Sequence, residues 1–181
     1  MIGIIVFATY LVGGYLCVQV VLWDKSPLLR TWLGVSFGML LYMWLPALAA
    51  FLVKFTELGQ ALALGMLILI CVSAMLYGIK HPHIPKKMAA EDRGMLIALI
   101  CFVVPLTVLS AYLQHTHTLR DVDGTLHVGQ STYGDLCMHL SIVTGLRGAS
   151  LPTEYIILPG TPLGYPLLTD ATGTSMMLLG T

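Results

Sequence analysis

The amino-acid sequence predicts an all-α integral membrane protein with four transmembrane helices, a long extracytoplasmic loop and the start of a fifth span. Of the 181 residues, 57% are hydrophobic and only 10% are charged, whereas soluble domains carry about 25% charged residues. Four apolar segments reach the roughly 20 residues that a helix needs to cross a bilayer. They are Ile2–Trp23, Trp32–Val53, Ala61–Ile79 and Gly94–Leu113, which together form a predicted transmembrane region of residues 1–113.

The first segment is predicted to be a retained helix rather than a secretory signal. No positive charge precedes it, since the first charged residue of the chain is Asp24. Its apolar run is also longer than the roughly 7–15 residues of a signal-peptide core. The formal net charge of the chain is zero and it has no long Lys/Arg run, which argues against an electrostatic nucleic-acid binder.

Basic residues between the segments predict the orientation of the chain. The loops Asp24–Arg30 and Lys80–Arg93 contain six of the nine Lys and Arg residues, whereas Lys54–Gln60 contains one. Because basic loops stay in the cytoplasm, we expect the first and third loops, Asp24–Arg30 and Lys80–Arg93, to lie there. The second loop, the N-terminus and residues 114–174 are then extracytoplasmic in a multi-pass membrane protein.

The predicted extracytoplasmic loop, residues 114–174, contains three kinds of local sequence. Asp123-Gly124 lies between short β-compatible runs and predicts a hairpin or turn. Residues 131–148 predict an amphipathic helix that lies along the membrane surface or against the bundle, with Gly148 at its C-terminus. Residues 151–166 contain four prolines, which exclude a regular helix or a central strand.

Residues 175–181, Ser-Met-Met-Leu-Leu-Gly-Thr, predict the opening of a fifth transmembrane helix. Seven residues are too few to cross a bilayer. We therefore expect the chain to be the N-terminal part of a longer polytopic protein.

Two motifs in the loop carry a family resemblance. They are Gly-Asp-Leu-Cys-Met-His-Leu at 134–140 and Pro-Gly-Thr-Pro-Leu-Gly-Tyr-Pro at 159–166, followed by Asp170. With the second apolar segment, they resemble bacterial membrane glycosyltransferases of the GT-C superfamily. The chain departs from that pattern because its acid follows the fourth span instead of the first, and because Asp135 has no adjacent second acid.

The resemblance implies transfer of a sugar from a polyprenyl-phosphate-linked donor at the extracytoplasmic membrane face. Asp135 matches the family's acidic position and would be the catalytic base, or would hold a divalent metal near the donor phosphate. The substrate-binding residues would be His139, Arg147 and Tyr165. Lipid bilayer and lipid-linked donor are the expected partners, and no protein partner is indicated. The alternative function is a non-enzymatic membrane scaffold or transporter component.

Three alternatives concern individual residues. Asp121 and Asp123 form an Asp-x-Asp pair that could hold Mg²⁺ or Mn²⁺. His115-x-His117 could provide metal ligands from an extended chain. Asp135 also suits a purely structural role, with Thr132 as the N-cap of the predicted helix and Asp135 three residues later.

Overall fold

A computed structural model describes residues 1–117, 120–129 and 133–180. Within these residues, four helices are long and apolar enough to cross a membrane, which confirms the predicted multi-pass helical membrane protein. The elements are α1 Ile2–Val21, α2 Pro27–Val53, α3 Glu57–Lys80, α4 Ala90–His117, β1 Arg120–Val122, β2 Thr125–His127, α5 Tyr133–Gly145 and α6 Leu168–Leu178.

The chain divides into two compact units, which are described separately. The first unit comprises Met1–Lys87 and Ser141–Thr181, and so contains α1, α2, α3 and α6. The second unit, Met88–Leu140, contains α4 and the β1–β2 hairpin. The boundary between the units falls within α5.

Capping residues extend two of the helices beyond the predicted apolar segments. Ser26 caps α2, since its hydroxyl accepts a hydrogen bond from the Leu29 amide at 3.3 Å, and Pro27 occupies the first helical position. Thr56 caps α3 in the same way, by accepting from the Gly59 amide at 3.3 Å. Arg30 therefore lies inside α2, where it is buried, and not in a loop as predicted.

The hydrophobic core of the first unit lies where α1, α2 and α3 meet. Tyr10 and Tyr42 are almost fully buried and pack edge to face, with ring centroids 5.2 Å apart. Leu45, Ala63 and Leu67 complete the contact among the three helices. Aromatic pairs in this geometry add specific attraction to the burial of apolar surface.

Three glycines allow α1 and α2 to touch backbone to backbone. A Cβ atom placed on Gly14 would overlap the Gly38 Cα, and one on Gly34 would lie 2.7 Å from the Tyr15 Cα. Gly34 and Gly38 are four residues apart, as in the Gly-x-x-x-Gly pattern of tightly packed transmembrane helices. We call Gly14, Gly34 and Gly38 the glycine seam.

One end of the first unit joins the α1–α2 turn to the segment that follows α3. The Lys86 amide donates to the Trp23 carbonyl at 3.1 Å, and the Arg30 Nη2 donates to the Lys86 carbonyl at 3.0 Å. We call this end, formed by residues 23–30 and 80–87, the basic end. It carries five Lys and Arg residues against one acid.

The one acid of the basic end is already paired. Asp24 accepts a hydrogen bond from the Lys25 ammonium at 2.8 Å, which lowers the pKa of Asp24. The basic end therefore presents an excess of positive charge.

The opposite end of the first unit is built around Phe55. The Phe55 amide donates to the Ala149 carbonyl at 2.7 Å, and the Gly148 amide donates to the Phe55 carbonyl at 2.8 Å. We call this end, formed by residues 53–58 and 146–180, the Phe55 end. It carries Lys54 and Arg147 against three acids, namely Glu57, Glu154 and Asp170.

The helix α6 corrects the predicted start of the last segment. It begins at Leu168 rather than at Ser175 and ends at Leu178. Residues 169–174 were predicted to belong to the loop, but they are helical, and Asp170, Ala171 and Thr174 among them are buried. Thr174 has no exposed surface, and its hydroxyl donates to the Val143 carbonyl at 2.8 Å. The hydrogen bond from Thr174 to Val143 thus stabilises a helix in a sequence whose composition is typical of a polar loop.

The second unit contains the predicted hairpin. Strands β1 and β2 pair antiparallel, with Asp121 opposite Leu126. Asp123 and Gly124, which connect them, both have positive φ angles, of 52° and 77°. Two such residues are typical of the type I′ turn, whose twist matches that of paired strands. The Asp-Gly prediction is confirmed.

Candidate functional site

A groove at the Phe55 end of the first unit is a candidate binding site. It has a volume of about 310 Å³ and lies between the α2–α3 turn and the segment after α5. Its walls are apolar at Phe55, Leu58 and Leu178. Two charged side chains, Glu57 and Arg147, also line it.

Arg147 is the predicted substrate-binding residue that lies in this groove. It follows α5 directly, and the positive φ angle of 75° at Gly148 turns the chain there toward Phe55. The Arg147 side chain is exposed. Among the described residues, the only ion pair within 4.0 Å joins Lys25 to Asp24, so the guanidinium of Arg147 is not neutralised by Glu57. Its planar fork remains suited to a phosphate or carboxylate.

Asp135 and His139 lie on α5, in the part that belongs to the second unit. They are four residues apart on one helix and therefore share a face. Asp135 is exposed and His139 is half-buried. Asp135 lies in the first turn of α5, where the helix dipole favours a negative charge. Thr132, the predicted N-cap, lies outside the described residues.

The structure contains a helix where residues 131–148 predicted one, with described bounds of Tyr133–Gly145. Ile142 and Leu146 are buried in the first unit. The location of this helix at the membrane surface stays a prediction.

Tyr165 lies in the proline-rich segment of the Phe55 end and is exposed. This segment is neither helix nor regular strand, as predicted. It closes on itself instead. The Tyr155 amide donates to the Thr161 carbonyl at 2.7 Å, and the Glu154 carboxylate accepts from the Gly160 amide at 3.1 Å. These bonds make a compact loop that positions the residues preceding α6.

The predicted metal ligands lie on the hairpin of the second unit. The Asp121 carboxylate accepts a hydrogen bond from the Gly124 amide at 2.9 Å, so one of its oxygens stabilises the turn. In the described parts of the chain, no three His, Cys, Asp or Glu side chains are close enough to share a metal ion. The backbone of His115 and His117 is helical in α4, which is not the extended chain that the histidine alternative requires.

Two acidic residues of the Phe55 end were not among the predicted site residues. Glu57 was assigned to a loop but opens α3 and lines the groove. Asp170 is only 6% exposed and lies on the packed face of α6 together with Thr174 and Ser175. The four-residue spacing of Asp170 and Thr174 was the available signal, because it places both on one helix face.

Comparison of the chain with protein-family profiles, with curated protein sequences and with solved structures finds no match. The chemistry of the site therefore rests on the residues themselves. The groove combines apolar walls with one guanidinium and one carboxylate. Such a surface suits an amphiphile that has an anionic group, because the guanidinium pairs with the anion while the walls contact its hydrocarbon part.

Proposed function

We propose that the chain is part of a GT-C-type membrane glycosyltransferase, which transfers a sugar from a polyprenyl-phosphate-linked donor to an acceptor hydroxyl. The observation that carries the proposal is the exposed Arg147 guanidinium in an apolar-walled groove at the Phe55 end. A polyprenyl-phosphate donor has the matching chemistry, namely a phosphate joined to a long hydrocarbon chain. The two loop motifs that resemble the superfamily also support the proposal.

The superfamily resemblance implies a role for each candidate residue, for Arg147 and Tyr165 in the first unit and for Asp135 and His139 in the second. Arg147 binds the donor phosphate and neutralises the charge that develops on it as the bond to the sugar breaks. Asp135 accepts the proton of the acceptor hydroxyl while the acceptor oxygen forms its bond to the sugar carbon. Polyprenyl phosphate leaves with the electron pair of the broken bond. His139 orients Asp135 from the next turn of α5, and Tyr165 contacts the sugar or its acceptor.

The distribution of charge supports an extracytoplasmic location of this chemistry. The basic end carries five Lys and Arg residues, and the Phe55 end carries two. The positive-inside rule therefore places the basic end in the cytoplasm. On this orientation the Phe55 end faces outward at a bacterial plasma membrane.

The proposed mechanism uses no metal ion. Asp121 and Asp123 provide two carboxylates on the hairpin, but one Asp121 oxygen is engaged by the Gly124 amide. The described residues offer no third His, Cys, Asp or Glu ligand beside them, so a Mg²⁺ held by this pair would take its other oxygen ligands from water or the donor phosphate. No step of the proposed mechanism is assigned to a metal.

The test is a transfer assay on the full-length natural protein with polyprenyl-phosphate-linked mannose and glucose as donors. Release of polyprenyl phosphate is measured with a membrane extract of the source cell as acceptor. Loss of a general base lowers turnover by roughly 10²–10⁴-fold, so we expect that loss for Asp135→Asn. Loss of charge-assisted hydrogen bonds at Arg147→Gln should reduce kcat/KM for the donor by roughly 10–100-fold.

Asp24→Asn provides the matched control, because Asp24 is an exposed acid at the basic end. It should leave turnover unchanged. Near-wild-type turnover by Asp135→Asn would exclude the proposed base. Binding of the labelled donor without any release of polyprenyl phosphate would favour the non-enzymatic membrane component instead.

A further inference from the structure

A second groove runs along α1 and α3 to the basic end of the first unit. It consists of two adjoining cavities of about 370 and 400 Å³. Gln19, Val20 and Met75 line both cavities, so the two lie next to each other along the same two helices. Each cavity falls in the size range of about 300–1,000 Å³ that is usual for small-molecule sites.

The part of this groove farther from the basic end is apolar. Its walls include Val72 and Ala74 together with the thiols of Cys17 and Cys71, whose sulfur atoms are 3.8 Å apart. From Cys71 to the end of α3 the helix rises about 13 Å. This length and polarity suit a hydrocarbon chain rather than a sugar or a nucleotide.

The mouth of the groove is more polar than its inner part and is bordered by stacked rings. Trp23 stacks on His83 with ring centroids 4.0 Å apart, and His81 lies parallel to His83 at 6.5 Å. All three side chains line the cavity at the basic end. The segment that carries the histidines is tied to α1 and α2 by the backbone of Lys86.

The charge around this mouth is positive. Lys80, Lys86 and Lys87 flank the histidines in sequence, and the only acid of the basic end, Asp24, is paired with Lys25. Basic residues beside a membrane attract anionic headgroups and hold them near the surface. The groove therefore joins an apolar channel to a mouth that is complementary to a negative charge.

We propose that this groove binds one acyl chain of an anionic phospholipid, with the lipid phosphate at the His81–His83 mouth. The ligand comes from the surrounding bilayer, since the groove lies along two transmembrane helices. This site is at the opposite end of the first unit from the Arg147 groove. Its test and the glycosyl-transfer test can therefore succeed or fail independently.

Lipid titration of the full chain in detergent micelles tests the proposal. Trp32→Phe and Trp44→Phe form the background, so that Trp23 in the groove is the remaining tryptophan. The probes are phosphatidylglycerol and phosphatidylcholine with brominated acyl chains, which quench tryptophan fluorescence on contact. We expect saturable quenching by phosphatidylglycerol, with phosphatidylcholine needing at least about a tenfold higher mole fraction.

A charge variant examines the mouth. Lys86→Gln with Lys87→Gln removes two charges but keeps the Lys86 hydrogen bonds, because those use the backbone. We expect it to weaken the phosphatidylglycerol affinity by roughly 10–30-fold, as two basic residues at an anionic surface would. Lys54→Gln, at the Phe55 end, should leave the affinity unchanged.

A bulk variant examines the channel. Ala74→Phe should fill the apolar cavity and abolish saturable quenching. Gly65→Phe is the matched control on α3, since a Cβ atom at Gly65 meets nothing within 4 Å. Equal quenching of the wild type by both lipids would mean an ordinary lipid belt only and would overturn the proposal. Retention of the phosphatidylglycerol preference by both the charge and the bulk variants would overturn it as well.

Discussion

The glycine seam makes a sharp prediction about the stability of the helix bundle. In Gly38→Ala the new Cβ atom would lie 2.6 Å from the Tyr10 carbonyl oxygen and 2.7 Å from the Leu11 Cα. Carbon atoms in contact are about 3.5–4.0 Å apart, and backbone atoms cannot rotate away as a side chain can. Helices α1 and α2 must therefore separate by about 1 Å.

The magnitude follows from two opposing effects. Overpacking of a close interface costs about 1–3 kcal/mol. Alanine in place of glycine favours the helix by about 0.5–1 kcal/mol. We expect Gly38→Ala to lower the free energy of unfolding by about 1 kcal/mol, and by no more than about 2.5 kcal/mol, because the cost of overpacking exceeds the gain in helix propensity.

Gly65→Ala measures the gain in helix propensity alone, because its new Cβ atom enters open space. It should be neutral or stabilising by up to about 1 kcal/mol. The assay is equilibrium unfolding of both variants in mixed micelles with increasing SDS, followed by tryptophan fluorescence. If Gly38→Ala and Gly65→Ala unfold at the same SDS fraction, α1 and α2 do not approach as closely as the structure indicates.

Two further predictions concern the first unit. Arg30→Gln removes the hydrogen bond from the Arg30 guanidinium to the Lys86 carbonyl. Loss of a charge-assisted hydrogen bond costs about 1.5–3 kcal/mol, so tryptic cleavage after Lys86 should become more than tenfold faster. An unchanged cleavage rate would contradict the contact between Arg30 and Lys86. Mild oxidation with copper phenanthroline should couple Cys17 to Cys71, whose sulfur atoms are 3.8 Å apart. Mass spectrometry of peptides should show that pair and leave the exposed Cys101 alkylated; coupling of Cys17 to Cys101 instead would contradict the α1–α3 packing.

The number and approximate position of the membrane spans could be predicted from sequence, because each is a long apolar run. Their ends could not be predicted from apolarity alone. Arg30 was assigned to a loop because a charge inside a bilayer is costly. In the structure its guanidinium reaches the Lys86 carbonyl, so a distant backbone group stabilises it. The local signal for the true start, Ser26 followed by Pro27, was nevertheless present.

The candidate site was predictable only where it depends on local structure. The shared helix of Asp135 and His139, and the turn at Gly148, follow from spacing and from glycine chemistry. The groove beside Arg147 does not, since the pairing of Phe55 with residues 148–149 joins segments distant in sequence. The residue pattern within one segment cannot predict a contact between two segments that are distant in sequence.

The helix α6 is a second case in which the sequence alone does not predict the observed local structure. Asp170 and Thr174 were assigned to the loop and Ser175 to the start of the next span, yet all three lie on the buried face of this one helix. Serine and threonine are compatible with packed helices in membranes when their hydroxyls find carbonyl partners, as Thr174 does at Val143. The pattern Gly34-x-x-x-Gly38 is itself typical of close helix packing by small residues. In α6, small hydroxyl side chains allow similarly close packing.

The charge asymmetry of the first unit connects the two proposals without making either depend on the other. If the basic end lies in the cytoplasm, it meets the leaflet that is rich in anionic lipid, and a bound phospholipid there would hold α1 against α3. The Arg147 groove would then face outward, where a guanidinium beside apolar walls can receive a lipid-linked phosphate. A reversed orientation would deprive the His81–His83 mouth of its expected ligand but would leave the chemistry of Arg147 intact. The two grooves thus differ in what determines their ligands: the groove along α1 and α3 depends on which leaflet it faces, and the Arg147 groove depends on the charge and shape of its own walls.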